Sequence, residues 1–207
     1  MPASAAPADA GVLWLAALQR ALGRAAHDVK DALNGVSVNL EVVRSRASRP
    51  EAPASAVAPF AEAAAQQLER LTTLLEAVLA LGRLDRAPTD VATTLRRVAA
   101  LCGASNSSAD ARVLIADTFT GEARTTVTGD AVRLALVAPL LDAVVGRKGE
   151  AREPVVCELA GDVETLAVRL CSDRPITMPA DAADVLRAAG VRWSQSANEL
   201  SVVFPRA

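Results

Sequence analysis

A long repeat of apolar residues at steps of three and four most constrains what this chain can fold into. Its members are Leu15, Leu18, Leu22, Ala25, Val29, Ala32, Val36, Leu40 and Val43. This spacing is typical of a helix that packs along its length in a bundle. With Asp9 as the N-cap, the repeat predicts a first helix from about residue 9 to residue 47. A helix of roughly 40 residues favours a bundle or a coiled coil.

A second apolar repeat follows a segment, residues 45–59, that is rich in Pro, Ser, Ala and Arg and is predicted to form a turn. The members of this repeat are Phe60, Ala64, Leu68, Leu71, Leu75, Val78 and Leu81. It predicts a second helix over 59–82, so that residues 9–84 form an antiparallel helical hairpin. A lone hairpin cannot bury both repeats, and we therefore expect two copies to pair into a dimeric four-helix bundle.

The pattern changes after Pro88, and residues 89–207 are predicted to form a second unit. Its predicted helices are 89–101, 130–145 (with Pro139 inside, which should kink it) and 180–189. Its predicted strands are 112–116, 124–128, 154–159, 165–171, 191–195 and 200–204. This order predicts an α+β unit with one mixed sheet and helices on one face.

Composition excludes several classes of function. The net charge is −2, and aromatic residues are 2% of the chain, which argues against a nucleic-acid-binding protein. The scattered Cys102, Cys157 and Cys171 suit buried thiols in a reducing compartment better than disulfides or a zinc site. The apolar run 11–18 is too short to span a bilayer, and residues 1–10 carry no basic leader. We therefore expect a cytoplasmic protein that binds neither nucleic acid nor membrane.

His27 is the only histidine in the sequence. At about 100° per residue it lies roughly opposite Ala25 and Val29 on the first helix, so it should face solvent or a visiting partner. A neutral imidazole is a competent nucleophile near pH 7. It can take a phosphoryl group on one ring nitrogen if an acceptor holds the other, and Asp28 is the adjacent acceptor.

The segment His27-Asp28-Val29-Lys30-Asp31-Ala32-Leu33-Asn34 resembles the H-box of sensor histidine kinases, His-Asp/Glu-x-x-x-Pro-Leu-x, with Ala32 in place of the proline. The predicted hairpin likewise resembles the dimerisation and phosphoacceptor domain of that family. The order of elements in 89–207 resembles its ATP-binding domain. The resemblance implies a helical hairpin in a dimeric four-helix bundle, followed by a histidine-kinase ATPase-like α/β sandwich.

The second unit departs from the family where a nucleotide would bind. Asp130-Ala131-Val132-Arg133-Leu134 is similar to the start of the N-box helix, but no Asn occurs over 130–145. Ser172-Asp173-Arg174-Pro175-Ile176 stands where the family has Asp-x-Gly-x-Gly, and both glycines are missing. Without them the backbone cannot approach a nucleotide or cradle its phosphates. The chain thus resembles dimeric histidine phosphotransferases, which have a degenerate ATP-binding-like domain.

The resemblance implies a role for each residue near the histidine. His27 would be the phosphoacceptor, Asp28 would orient it, and Arg24 could contact phosphoryl oxygens. Asp31 shares the face of His27 in an uncertain role and makes phosphatase activity doubtful. No bound cofactor is expected, and Mg²⁺ would belong to the partner. The implied partners are receiver domains of response regulators, between which phosphoryl is shuttled, and a second copy of this chain.

Two other readings of the sequence stay open. The bundle could be a non-catalytic module that docks a receiver domain or a kinase and sequesters it. Less favoured is a divergent kinase that keeps weak ATP binding. Arg147-Lys148, between two glycines, is interpreted as a solvated loop rather than a phosphate site.

Overall fold

The computed structural model describes residues 9–49, 53–83, 88–103, 112–116, 119–144 and 153–207. The first two helices are α1 (Ala10–Ala47) and α2 (Ala58–Leu81), with a 3-10 turn at Ala54–Ala56 between them. The Asp9 carboxylate accepts a hydrogen bond from the Gly11 N–H, as expected of an N-cap. The predicted long helices and their antiparallel pairing are confirmed.

The remaining elements alternate helices with strands in the predicted order. The helices are α3 (Val91–Leu101), α4 (Gly129–Val144) and α5 (Ala180–Ala188). The strands are β1 (Thr89–Asp90), β2 (Val113–Ala116), β3 (Arg124–Thr125), β4 (Val155–Gly161), β5 (Thr165–Cys171), β6 (Arg192–Gln195) and β7 (Glu199–Pro205). Five strands form one sheet in the order β2-β4-β5-β7-β6. Only the β2–β4 pair is parallel, so the predicted mixed sheet is confirmed.

Two details of the prediction are wrong. The strand expected at 124–128 is only the two-residue β3, and it pairs with β1 in a separate small sheet rather than joining the main one. The helix expected at 89–101 begins only at Val91, and Thr89–Asp90 form β1, which sequence reasoning misses because two residues are too few to show an alternating pattern. α4 runs through Pro139. The expected end of α4 at Gly146 and the Arg147-Lys148 pair lie outside the described residues.

The main sheet buries one face and leaves the other partly open. Alternate residues of the three central strands are buried: Val155, Cys157 and Leu159, then Leu166, Val168 and Leu170, then Leu200, Val202 and Phe204. They share one core with residues of α3, α4 and α5. On the opposite face Glu158 pairs with Arg169 at 2.7 Å. The predicted arrangement, with helices over one face of the sheet, is confirmed.

The core beneath the sheet extends into the first half of α1. Trp14, Ala17 and Ala21 belong to the same buried cluster as the apolar residues of α4 and the sheet. Arg133 of α4 is buried here, only 2% exposed. Its guanidinium donates to the Asp130 carboxylate at 3.0 Å and to the Arg83 carbonyl, just after α2, at 2.7 Å. It also lies 5.8 Å from the centre of the Trp14 ring.

Both apolar repeats of the hairpin remain partly exposed. In α1, Leu15 and Leu40 are about half exposed, and in α2 the same is true of Leu68 and Leu75. The other large apolar side chains exposed on the hairpin are Val12, Leu33, Val38 and Leu79. A single chain therefore leaves a sizeable apolar surface uncovered. The four-helix bundle that would cover it stays a prediction.

None of the helices that the structure describes is both long and apolar enough to cross a bilayer.

Candidate functional site

His27 projects from the middle of α1 and is exposed. Ala25, two residues before it, is buried, and Val29, two residues after it, is half-buried. The helical period therefore turns the imidazole away from the core. α1 is continuous for 38 residues, so the ring is mounted on a rigid element. The predicted exposure of His27 is confirmed.

Asp28 lies against the second half of the chain. Its Oδ1 is 3.7 Å from an Nη atom of Arg112, and its side chain is 17% exposed. Arg112 stands at the edge of the sheet, directly before β2, and its side chain is 44% exposed. Sequence reasoning missed Arg112. No local motif marks it, because only the tertiary fold brings it to α1.

The backbone around Arg112 is fixed by hydrogen bonds on both sides. Its N–H donates to the Gly103 carbonyl at 3.0 Å, and its carbonyl accepts from the Val155 N–H at 2.9 Å. Gly103 has a φ of +99°, and a Cβ there would lie 3.3 Å from Cδ of Arg112. Glycine thus supplies both the turn after α3 and the room for the Arg112 side chain. The base of the arginine is held while its guanidinium stays partly in solvent.

Arg24, one turn before His27, is directed toward the interior. It is half-buried, and its Nε is buried. Its charge acts on the buried Cys102 thiol at the end of α3, where it lowers the thiol pKa. Burial has the larger effect and raises the pKa of Cys102 to about 12. Arg24 is therefore partly withdrawn from solvent, whereas His27 is exposed.

Asp31 is exposed, one turn after His27. It adds a second carboxylate near the imidazole, beside Asp28. Two carboxylates close together disfavour the approach of another anion unless a cation lies nearby. Arg112, 3.7 Å from the Asp28 carboxylate, is a cation that can offset this repulsion.

The segment between β5 and α5 packs against the core. It is the segment at which the resemblance to sensor histidine kinases would place a nucleotide. Ile176 and Met178 are buried there, 2% and 8% exposed. The Ser172 hydroxyl donates to the Asp173 carboxylate at 3.1 Å and accepts from the Arg174 N–H at 3.3 Å. Apolar side chains and local hydrogen bonds thus occupy this segment, and no glycine opens it.

In the part of the chain that the structure describes, no group of three or more His, Cys, Asp or Glu side chains is placed to hold a metal ion. The three thiols are free cysteines; Cys102 and Cys157 are buried, whereas Cys171 is only half-buried and so is more open than predicted.

Comparison with solved structures finds many similar chains, among them two whose likeness extends over most of this chain. One is the Acinetobacter baumannii histidine kinase AdeS, with 11% identity and a TM-score of 0.38, covering 87% of this chain and 97% of that one. The other is a bacterial phosphotransferase, with 12% identity and a TM-score of 0.36, covering 98% of each chain. At TM-scores this low, neither likeness indicates an activity for this chain.

No family model matches the sequence, and no curated protein matches it.

Proposed function

We propose that this chain is a histidine phosphotransferase of a bacterial phosphorelay, which shuttles phosphoryl between receiver domains of response regulators through His27. The observation that carries the proposal is the exposed imidazole of His27 at the middle of a 38-residue helix, turned away from the buried stripe. A protein-borne phosphoryl group can reach such a ring without rearrangement of the fold. Asp28, the next residue in the chain, supplies a carboxylate that would accept a hydrogen bond from the ring and orient it.

The transfer needs only groups that this chain and its partner carry. The unprotonated ring nitrogen of His27 attacks the phosphorus of an aspartyl phosphate on the donor receiver domain. A P–N bond forms while the P–O bond to the aspartate breaks, and the aspartate carboxylate leaves with the electron pair. The other ring nitrogen keeps its proton or releases it to water. The acceptor receiver's aspartate then attacks phosphohistidine and restores the free imidazole.

Two features favour a relay over an autokinase. The segment between β5 and α5 carries no glycine and buries Ile176 and Met178, which leaves no backbone cradle for nucleotide phosphates. The first half of α1 also shares its core with the second half of the chain, and Arg133 links α4 to the ends of both helices of the hairpin. An autokinase would have to move its nucleotide domain relative to the histidine, and a shared core opposes that motion.

The proposal extends to partners and cofactors. The chain would bind receiver domains, use no cofactor of its own and rely on Mg²⁺ held by the receiver. It would act as a homodimer whose exposed hairpin leucines close a four-helix bundle. Nucleic acid and membrane are not part of the proposed function.

The test is phosphoryl transfer with purified proteins. Incubation with radiolabelled ATP and Mg²⁺ should leave the chain unlabelled, whereas a labelled, phosphorylated receiver domain from the source organism should transfer its label to it. His27→Ala should take up no label. Because His27 is exposed, that variant should keep the circular dichroism spectrum and melting temperature of the wild type.

Other results would identify another function. Label retained on the His27→Ala variant would refute the assignment of the phosphoacceptor. Receiver binding that survives this substitution, with no transfer in either direction, would identify a docking module instead. Labelling by ATP alone would identify a divergent kinase.

A further inference from the structure

We propose that Arg112, on the second half of the chain, contacts the phosphoryl group once it is on His27, and that it leaves Asp28 to do so. The inference deepens the proposed function and rests on it, because it requires that His27 carries a phosphoryl group. It gives the second half of the chain a direct part in the transfer, in addition to bracing the hairpin.

The contact between Arg112 and Asp28 is loose enough to be exchanged. Its 3.7 Å separation is longer than the roughly 2.7–2.9 Å of a charge-assisted hydrogen bond. The Arg112 side chain is 44% exposed, so its guanidinium has solvent around it and room to turn. A guanidinium carries five N–H donors in a planar fork, and this ion pair engages few of them.

A phosphoryl group on His27 would compete strongly for this guanidinium. His27 and Asp28 are consecutive in α1, about 100° apart around the helix axis, so the new anion would form one residue from the existing one, on the adjoining face of the helix. It would carry up to two negative charges and three acceptor oxygens, whereas Asp28 carries one charge. Arginine binds such a group through two parallel hydrogen bonds. The move also places a cation between two neighbouring anions.

The burial of the neighbouring arginine favours Arg112 for this role. The Nε of Arg24 is buried, and the Arg24 charge acts on the buried Cys102 thiol. Arg112 has its backbone tied to Gly103 and Val155 but keeps its guanidinium near the surface. Its guanidinium can therefore turn away from Asp28 while the backbone hydrogen bonds of Arg112 stay in place.

The experiment uses a chemical phosphoryl donor, so that no receiver domain is needed. The full chain is treated with phosphoramidate: a ring nitrogen of His27 attacks phosphorus, the P–N bond of the donor breaks, and ammonia leaves. The donor is then removed, and the lifetime of phosphohistidine is followed by phosphorus NMR. Because Arg112 stabilises the phosphorylated form, Arg112→Gln should shorten this lifetime by on the order of three- to tenfold. Arg112→Lys, which keeps the charge, should restore part of it.

A second substitution gives an effect of the opposite sign. Asp28→Asn removes the competing negative charge but keeps an oxygen acceptor for the ring, so once His27 is phosphorylated the phosphohistidine lifetime should equal or exceed that of the wild type. If the ion pair only stabilised the fold, Asp28→Asn and Arg112→Gln would shorten the lifetime alike. That result would overturn the proposal, and so would an unchanged lifetime in Arg112→Gln.

Two further cations serve as matched controls. Lys30 is exposed on α1, near His27, and Arg192 is exposed on β6, at the opposite edge of the sheet from Arg112. Lys30→Gln and Arg192→Gln should leave the lifetime close to that of the wild type. An effect of either as large as that of Arg112→Gln would point to a diffuse positive field and refute a specific contact.

The result is separable from the test of the relay itself. If no label passes to or from receiver domains, the proposed function is refuted. The lifetime of chemically formed phosphohistidine could still differ between the wild type and Arg112→Gln as expected. Normal relay activity with no effect of Arg112→Gln would sink only this inference. If His27 accepts no phosphoryl from phosphoramidate, the same lifetimes are measured on protein labelled by a phosphorylated receiver domain. Failure of both donors would refute both proposals.

Discussion

Asp28 shows how a tertiary contact adds to what a local motif implies. It directly follows the only histidine, and the sequence predicts that it orients that ring. In the structure its carboxylate also faces Arg112, from a distant part of the chain. Its role in orienting the His27 ring stays a prediction. The Arg112 guanidinium also lies next to this carboxylate and will influence that role.

The buried thiols predict a loss of stability at alkaline pH. Burial raises the pKa of Cys102 and of Cys157 from the ordinary 9.0 to about 12. The folded chain therefore holds these protons at a pH where the unfolded chain has released them, so stability falls as pH rises. The contribution is complete below pH 9.0 and is lost progressively toward pH 12, as the unfolded chain releases protons that the folded chain still holds. Urea denaturation at a series of pH values measures it.

The composition of the chain leaves few other groups that could change its stability between pH 9.0 and 12. It has no tyrosine, and its only lysines are Lys30 and Lys148, so few other side chains titrate in the same window. The double variant Cys102→Ala/Cys157→Ala should show a flatter decline in stability above pH 9.0. An equally steep decline in that variant would mean that other groups are responsible.

At the scale of elements, the caps of α3 and α1 differ in strength. The Asp90 carboxylate accepts from the Thr93 N–H at 2.6 Å, whereas Asp9 accepts from the Gly11 N–H at 3.3 Å. α3 starts inside the structure, between β1 and the core, so the loss of its cap is not relieved by fraying. Asp90→Ala should lower the free energy of unfolding by about 1 kcal/mol, as measured in urea. Asp9→Ala is the matched control and should cost less; an equal cost would contradict this ranking.

The elements that the sequence predicted well are those with a strong period. α1 and α2 carry long repeats, and β5 alternates over seven residues, so each was placed within a residue or two. β1 and β3 are held by pairing with each other, and two residues carry no period of their own. The exposure of His27 followed from the α1 repeat. The contact with Arg112 did not, because it depends on how the sheet lies against the helix.

At the scale of the molecule, the exposed leucines of the hairpin predict a dimer. Leu33, Leu40, Leu68, Leu75 and Leu79 are each 49–59% exposed in the single chain. Burial of one leucine side chain stabilises by about 1.5–3 kcal/mol, so several together favour association. The wild type should have the mass of two chains by light scattering. Leu68→Glu/Leu75→Glu should raise the dimer dissociation constant by at least about a hundredfold.

A matched control lies on the same chain, away from the hairpin. Val163, in the turn between β4 and β5, is 90% exposed. Val163→Glu adds the same charge to an apolar surface position, and the dimer should persist. A monomeric wild type, or dissociation caused by Val163→Glu, would contradict the four-helix bundle.

The interior shared by α1 and α4 limits how this protein can be rearranged in evolution. Trp14, Ala17 and Ala21 share their buried cluster with apolar residues on the other side of the residue 84–88 connection. A gene fusion that moved the hairpin alone would expose apolar residues of α1 that are buried in the intact chain. New variants of this protein would therefore arise by altering the surface around His27 on an intact chain, rather than by exchanging its halves.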